Sequence, residues 1–438
     1  MKKNINELAL DLALQDNLDE KKKLANEIFG IAHEKGIFPY SINDFYFARG
    51  KGKFGGFTVP AINLRTMTYD LACAIFRAAK KINAGAFIFE IAKSEMGYTG
   101  QKPIEYSSMC LAAAINEGYK GPVFIQGDHF QFSAKKFKEN PEKEKKDMKT
   151  LISESVNAGF YNIDIDSSTL VDLSKPSIVE QQSFNYEMCA EMTLFMRAIQ
   201  PKGIVVSIGG EIGEVGGKNS TPFELRAFME GYRKIIGKSK IGISKISIQT
   251  GTSHGGVVLP DGSVAKVKLD FDTLKNLSKL AKEEFGLAGA VQHGASTLPG
   301  EAFGKFAEVE AAEVHLATEF QNIVYESEYF PRELKNKIYE WLKENAAGER
   351  EDGQTDEQFF YKARKKALGP FKKDILTLPK DIRNRIISEV ESKFEFLFNK
   401  LRINNTRELM SKYVPSKPVK VQIKEEHASA HLDGKGDD

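Results

Sequence analysis

Eight short apolar runs, each followed by a longer segment of helical character, predict a (β/α)8 barrel for the central part of this 438-residue chain. The runs fall at 57–61, 86–91, 122–126, 162–165, 203–208, 245–250, 288–292 and 313–317, and are rich in Val, Ile and Phe. Their spacing, roughly 25–45 residues, leaves room for a crossover helix and two loops. Strands that are apolar almost throughout are what a parallel sheet covered on both faces requires. A doubly wound open sheet is the alternative, but no GxGxxG follows the first run, which counts against a dinucleotide fold.

In chain order, residues 1–54 read as a helical lead-in. Leu, Ile and Ala alternate with charges over 5–35, and ARGKGKFGG at 48–56 then punctuates the chain with glycines. The barrel is expected over 55–325. Residues 326–415 carry helical periodicity with many charges, as in RNRIISEVESKFEFLFNKL, interrupted by the polar loop AAGEREDGQTDEQ at 346–358. This extension is expected to pack on the barrel or on a second subunit, and it suggests a homo-oligomer. The last stretch, 416–438, ends in the polar HASAHLDGKGDD and is expected to be disordered.

Charge and composition narrow the partners. With 62 basic against 60 acidic residues, the chain has no global electrostatic reason to seek nucleic acid or membranes. Asp and Glu interrupt the N-terminal stretch, so it reads as neither a signal nor a transit peptide, and no uncharged run approaches the roughly 20 residues that cross a bilayer. Cys73, Cys110 and Cys189 lie far apart and form no CxxC, which fits buried thiols in a reducing cytoplasm.

Scarce residues point to the chemistry. Of seven histidines, four sit at or just past the C-terminal end of a predicted strand: His129 on the third, His254 on the sixth, His293 on the seventh and His315 on the eighth. Glu211 follows the fifth in the same way, within IGGEIGEVGG. Barrel enzymes build their sites at that face, from several strand ends. A lone histidine near a strand end is ordinarily a hydrogen-bonded rim residue; four on one face point instead to a divalent metal. Three imidazoles with an optional carboxylate leave a position open for substrate, as catalytic zinc requires, and cobalt, iron or manganese suit the same donors. Asp128, next to His129, is placed to act as general acid or base, or else to cap a helix or orient a ligand. GTSHGG at 251–256 and HGAST at 293–297 offer backbone N–H groups and hydroxyls to a phosphate, although tight turns alone also account for them.

These segments resemble a known family. GPVFIQGDHF resembles the strand and Asp-His pair of the class II, zinc-dependent ketose-bisphosphate aldolases; GGEIGEVGG resembles their Glu-containing loop; TGTSHGG and VQHGAST resemble the segments carrying their other zinc histidines. TVPAINLRTMTYDLACAIFRAA is similar to their first strand. The resemblance spans roughly residues 55–325 and keeps the order of all four metal segments. It implies zinc at His129, His254 and His293, with Glu211 as an alternate or nearby ligand. Asp128 would move the proton of the C4 hydroxyl, and Gly255, Gly294, Ser296 and Thr318 would hold a phosphorylated sugar. The implied reaction splits a ketose bisphosphate between C3 and C4, zinc stabilising the enediolate as a Lewis acid.

The chain also departs from the family's pattern. Where its mobile loop carries two acidic residues after Gly-Gly, Lys218 and Asn219 stand here; Ala92 replaces a substrate-contacting Ser; His315 and Ala317 replace an Asn-x-Asp pattern. Glu214, Lys218 or His315 is therefore the expected source of the remaining proton transfer. Two further readings follow from similar barrels: epimerisation of a ketose at C4, and a non-catalytic partner like the large subunit of a tagatose-bisphosphate aldolase. The intact Asp-His pair and the three histidines count against the second.

Overall fold

A computed structural model describes residues 3–213, 217–251, 259–260 and 269–415. Among these described residues, nine strands form one sheet: β1 (Ile37–Tyr40), β2 (Val59–Asn63), β3 (Ile88–Ala92), β4 (Gly121–Gln131), β5 (Asn162–Asp166), β6 (Ser207–Glu211), β7 (Lys245–Ile248), β8 (Ala290–Gln292) and β9 (Glu313–Leu316). Every pairing is parallel, and β2 through β9 close on themselves through the β2–β9 and β4–β5 ladders. The chain is therefore a (β/α)8 barrel, and each of its eight strands overlaps one of the apolar runs.

The pattern of side chains explains the closure. Val59, Ile62, Ile88, Phe89, Ile125, Ile163, Ile208, Ile246 and Val314 are buried, and the connecting helices cover the outside of the sheet. The helix at Thr68–Lys81, for instance, buries Leu71, Ala72, Ile75, Phe76 and Ala79, the spacing of an apolar helical face. Among the described residues no helix is long and apolar enough to cross a membrane. Cys73, Cys110 and Cys189 are buried and unbridged.

The lead-in is not wholly helical. Ile37-Phe38-Pro39-Tyr40 pairs with Gly121–Phe124, alongside the lower half of β4. Helical periodicity hides such a strand because four buried residues in succession fit either structure. From there the chain turns under the barrel. The Ile42 amide donates to Asn162 Oδ1 (2.9 Å) and the Ser207 amide to Ser41 Oγ (3.0 Å), both at strand starts. Arg49, fully buried, donates to the Ala311 carbonyl (3.1 Å) and lies 5.1 Å from the Phe57 ring centre. Residues 37–49 thus plug the N-terminal mouth of the barrel.

The C-terminal extension wraps its own barrel. The helix Lys380–Lys400 packs against the helices Thr68–Lys81 and Thr318–Glu326. Phe394 meets Phe320 with ring centres 4.8 Å apart, and Arg77 Nε donates to Glu391 (2.7 Å). The Thr58 amide donates to the Leu401 carbonyl (3.0 Å), tying the extension to the start of β2. Phe394→Ala is expected to lower unfolding free energy by about 3–5 kcal/mol, the range for removing a fully buried ring. Urea titration would read this as a lower midpoint; a loss below ~1 kcal/mol would show that the extension lies outside the cooperative unit.

Candidate active site

Gly127 begins the site. A Cβ there would stand 2.5 Å from the Phe130 ring, so only glycine lets that ring fold back against the strand. The β4–β5 register shifts between Gly127 and Phe130, a bulge that holds Asp128 and His129. His129 takes a φ of +39°, which costs a non-glycine residue about 1–3 kcal/mol. In a regular strand, neighbours face opposite sides; the bulge turns two consecutive polar residues toward the same place.

Asp128 Oδ1 lies among three imidazoles. It is 3.1 Å from His315 Nδ1, 3.9 Å from His293 Nδ1 and 3.9 Å from His129 Nε2. The His293 ring centre stands 4.2 Å from that of His129 and 4.1 Å from that of His315. His293 Nε2 faces Ser247 Oγ at 3.0 Å and Glu211 Oε2 at 3.5 Å. His129 Nδ1 lies 3.0 Å from Asp166 Oδ2, which also accepts from Gln131 Nε2 (2.8 Å), while Ser168 donates to Oδ1. A carboxylate can only accept, so the proton of His129 sits on Nδ1 and Nε2 is turned toward Asp128. Burial pushes the Asp166 carboxyl up, but the His129, Ser168 and Gln131 bonds outweigh it and hold the group below its usual range.

Beneath lies a charged floor. Lys245, 1% exposed, donates to Glu313 Oε1 (2.5 Å), Gln126 Oε1 (2.8 Å) and Asp164 Oδ2 (2.9 Å). Glu313 Oε1 also accepts from Gln126 Nε2 (2.9 Å) and faces His315 Nε2 at 2.6 Å; the Tyr46 hydroxyl reaches its other oxygen from the N-terminal plug. Glu90 Oε2 takes Gln126 Nε2 (3.0 Å) and lies 3.1 Å from His315 Nδ1. Burial drives the Asp164 carboxyl up to about 6 and raises that of Glu90. It raises Glu313 too, but Lys245 and His315 overcome it and hold Glu313 at about 2. For His315, burial opposes the charge, yet Glu90 and Asp128 outweigh it, so the ring stays protonated well above its ordinary range.

The structure brings Asp128, His129, Glu211, His293 and His315 together at the C-terminal ends of β4, β6, β8 and β9. Among the described residues, two sets of donors each fall within 4.8 Å of one another: Asp128, His293 and His315, and Glu90, Glu313 and His315. Imidazole with carboxylate fits zinc or a similar divalent ion. Gly294, at φ +65°, and buried Ser296 follow His293 in the loop after β8. Thr318 opens the helix after β9 without a side-chain cap, and Arg65 donates to its hydroxyl at 3.4 Å. Lys218 is exposed, and Asn219 donates to Asp270 Oδ2 (3.0 Å). Glu214, His254 and Gly255 lie outside the described residues.

Arg65, Glu90, Gln126, Asp164, Asp166, Lys245 and Glu313 were not among the residues picked out from the sequence. Their signal was there: Glu90 interrupts AFIFEIA, Lys245 interrupts ISKISI, and Glu313 stands two residues before His315, on the same face of its strand.

The family model for class-II fructose-bisphosphate aldolase matches residues 50–396, most of the chain. No curated protein matches it. Among solved structures, the fructuronate-tagaturonate epimerase UxaE from Cohnella laeviribosi has a TM-score of 0.54 at 15% identity, covering 92% of this chain and 90% of that one. A fructose-bisphosphate aldolase from Campylobacter jejuni has a TM-score of 0.47 at 19% identity, covering 84% and 97%. The first of these likenesses is one of fold.

Lys245→Met would leave Asp164 and Glu313 buried without their cation, at a cost of about 3–5 kcal/mol. Adding Glu313→Gln removes one of the stranded charges, so the double variant is expected to recover part of that loss. Equal stability of the two variants in chemical denaturation would contradict the pairing.

Proposed function

The chain belongs to the class-II fructose-bisphosphate aldolase family, and from that premise we propose that it cleaves or forms the C3–C4 bond of a phosphorylated ketose in a metal-dependent reaction. The observation that carries this reading is Asp128 Oδ1 set among the ring nitrogens of His129, His293 and His315 at the mouth of a closed barrel. His129, His254 and His293 would hold the metal, with Glu211 beside His293. A bound zinc or similar divalent ion would supply Lewis acidity to the ketone oxygen of the substrate.

Each residue then has a task. Asp128, largely shielded from water, accepts the C4 hydroxyl proton as the C3–C4 bond breaks and the aldehyde forms, and returns it in the reverse direction. Asp166 fixes the ring and tautomer of His129. Gly294, Ser296 and the opening turn of the helix at Thr318 receive a substrate phosphate, to which Arg65 adds positive charge. Glu214 and Lys218, which follow β6 in the sequence, are left to serve the proton at C3, since His315 is engaged by Asp128 and Glu313.

A second reading is epimerisation of a ketose at C4 by breaking and remaking the same bond. Lys218 and Asn219 favour it, because the loop lacks acids at those positions and Asn219 is committed to Asp270.

The purified chain should release triose phosphate from fructose or tagatose bisphosphate, lose that activity in a chelator and regain it with zinc. Loss of one ketose with formation of its C4 epimer, and no triose, would move the assignment to the second reading. Asp128→Asn should lower kcat about 10²–10⁴-fold with metal content unchanged, the scale of a lost general acid–base group. Near wild-type turnover in that variant would remove Asp128 from the mechanism.

A further inference from the structure

A second cavity, of about 510 Å³, opens where the two additions to the barrel meet. The helix Ile5–Leu14 forms one wall, the segment from Leu368 to Ile387 of the C-terminal extension another, and the turn after β2 a third. None of Asp128, His129, Glu211, His293 and His315 takes part in its walls. The first wall precedes the residues that match the family, so this space is built partly from chain outside the family's segment. Its volume lies within the range of small-molecule sites, roughly 300–1,000 Å³.

The lining is biased toward positive charge. Arg65, Arg77, Lys372, Lys380 and Arg383 face Glu7, Asp70 and Glu105. All three acids are committed. Glu7 accepts the Asn4 amide (2.9 Å), Asp70 accepts Arg383 Nη1 (3.0 Å), and Glu105 accepts Lys21 (2.8 Å) and Lys372. Arg65 and Arg77 find carboxylates elsewhere, on Glu95 and on Glu117 and Glu391. What remains over is positive. The buried Nε of Arg383 has no hydrogen-bond partner among the described residues, and exposed Lys380 has no acidic partner among them. The helix Thr68–Lys81 also starts in this wall, with Met67, Thr68, Tyr69 and Asp70 all lining the cavity, and no side chain caps its first amides. Unsatisfied N–H groups at the positive end of a helix dipole add to the same field.

We propose that this cavity is a second ligand site, separate from the barrel mouth, that takes a small anion of the phosphate or carboxylate class. Arg383 donates its spare N–H, Lys380 supplies charge at the rim, and the start of the helix at Thr68 receives the anionic oxygens. Arg65 lines the cavity and also donates to Thr318 Oγ1 (3.4 Å), so one guanidinium forms a wall common to both sites. The assignment is independent of the aldolase reading and survives its failure.

The test uses the full chain. In crystals soaked with tungstate, a heavy tetrahedral anion, anomalous density should lie within the cavity beside Arg383. In solution, inorganic phosphate and citrate are titrated separately by calorimetry. Arg383→Gln should weaken the tighter of the two about tenfold, and Lys380→Gln about threefold, with the effect shrinking at high salt. Ser296→Ala, at the barrel mouth, should leave this binding unchanged. Preference for phosphate would support a phosphate-bearing ligand and preference for citrate a polycarboxylate. Tungstate only at the barrel mouth, or phosphate and citrate affinities unaltered by both cavity variants, would overturn the inference. Should Arg383→Gln fail to fold, Lys380→Gln, at an exposed position, carries the solution measurement.

Discussion

The interior of this barrel depends on one buried ammonium group. Lys245 contacts oxygens of Glu313, Asp164 and Gln126 in the buried interior of the barrel. A charge in such a place is tolerable only when paired and fully hydrogen-bonded. That requirement propagates upward. Lys245 allows Glu313 to stay ionised; Glu313 orients His315; His315 meets Asp128, the group assigned the proton transfer. A barrel filled with aliphatic layers would be simpler to fold, but it could not keep a carboxylate and three imidazoles in one arrangement at its mouth.

The second constraint is backbone geometry. Without the bulge in β4, Asp128 and His129 would point to opposite faces of the strand. Gly127 leaves space for the Phe130 ring, which packs against the strand at the bulge. The positive φ of His129 is held by its bond to Asp166, whose remaining acceptors are taken up by Gln131 and Ser168. Local strain, a glycine and a small hydrogen-bonded cluster act together to present two neighbouring side chains to one point.

Much of this was legible in the order of residues, and the remainder was not for identifiable reasons. The eight barrel strands announced themselves because a parallel sheet buried on both sides demands continuous apolar runs, as in PVFIQ and AAEVHL. His129, His293, His315 and Glu211 stood out because histidine is rare here and strand ends are where barrels work. β1 went unread because four buried residues in a helical neighbourhood carry no period of their own. Asp128 and His129 share the pocket although the strand runs on to Gln131, because a bulge turns them together, and a bulge leaves no mark in the residue order. Glu90, Asp164 and Lys245 escaped notice because an isolated charge in an apolar run does not reveal its partners. Those partners lie on other strands, tens to hundreds of residues away, and only closure of the sheet brings them together.

The bond from Tyr46 to Glu313 also ties the plug at the start of the chain to the last strand of the barrel, 267 residues later. During synthesis the segment at 37–49 therefore emerges long before the partner it must grip. Joining contacts so far apart in sequence is slow, since chain entropy must be surrendered before the contact returns anything. The polar floor, and with it the posture of His315, is consequently a late product of folding. Until β9 is in place, Lys245 has Asp164 and Gln126 but not Glu313, so maturation of the reactive centre is a reporter of complete assembly.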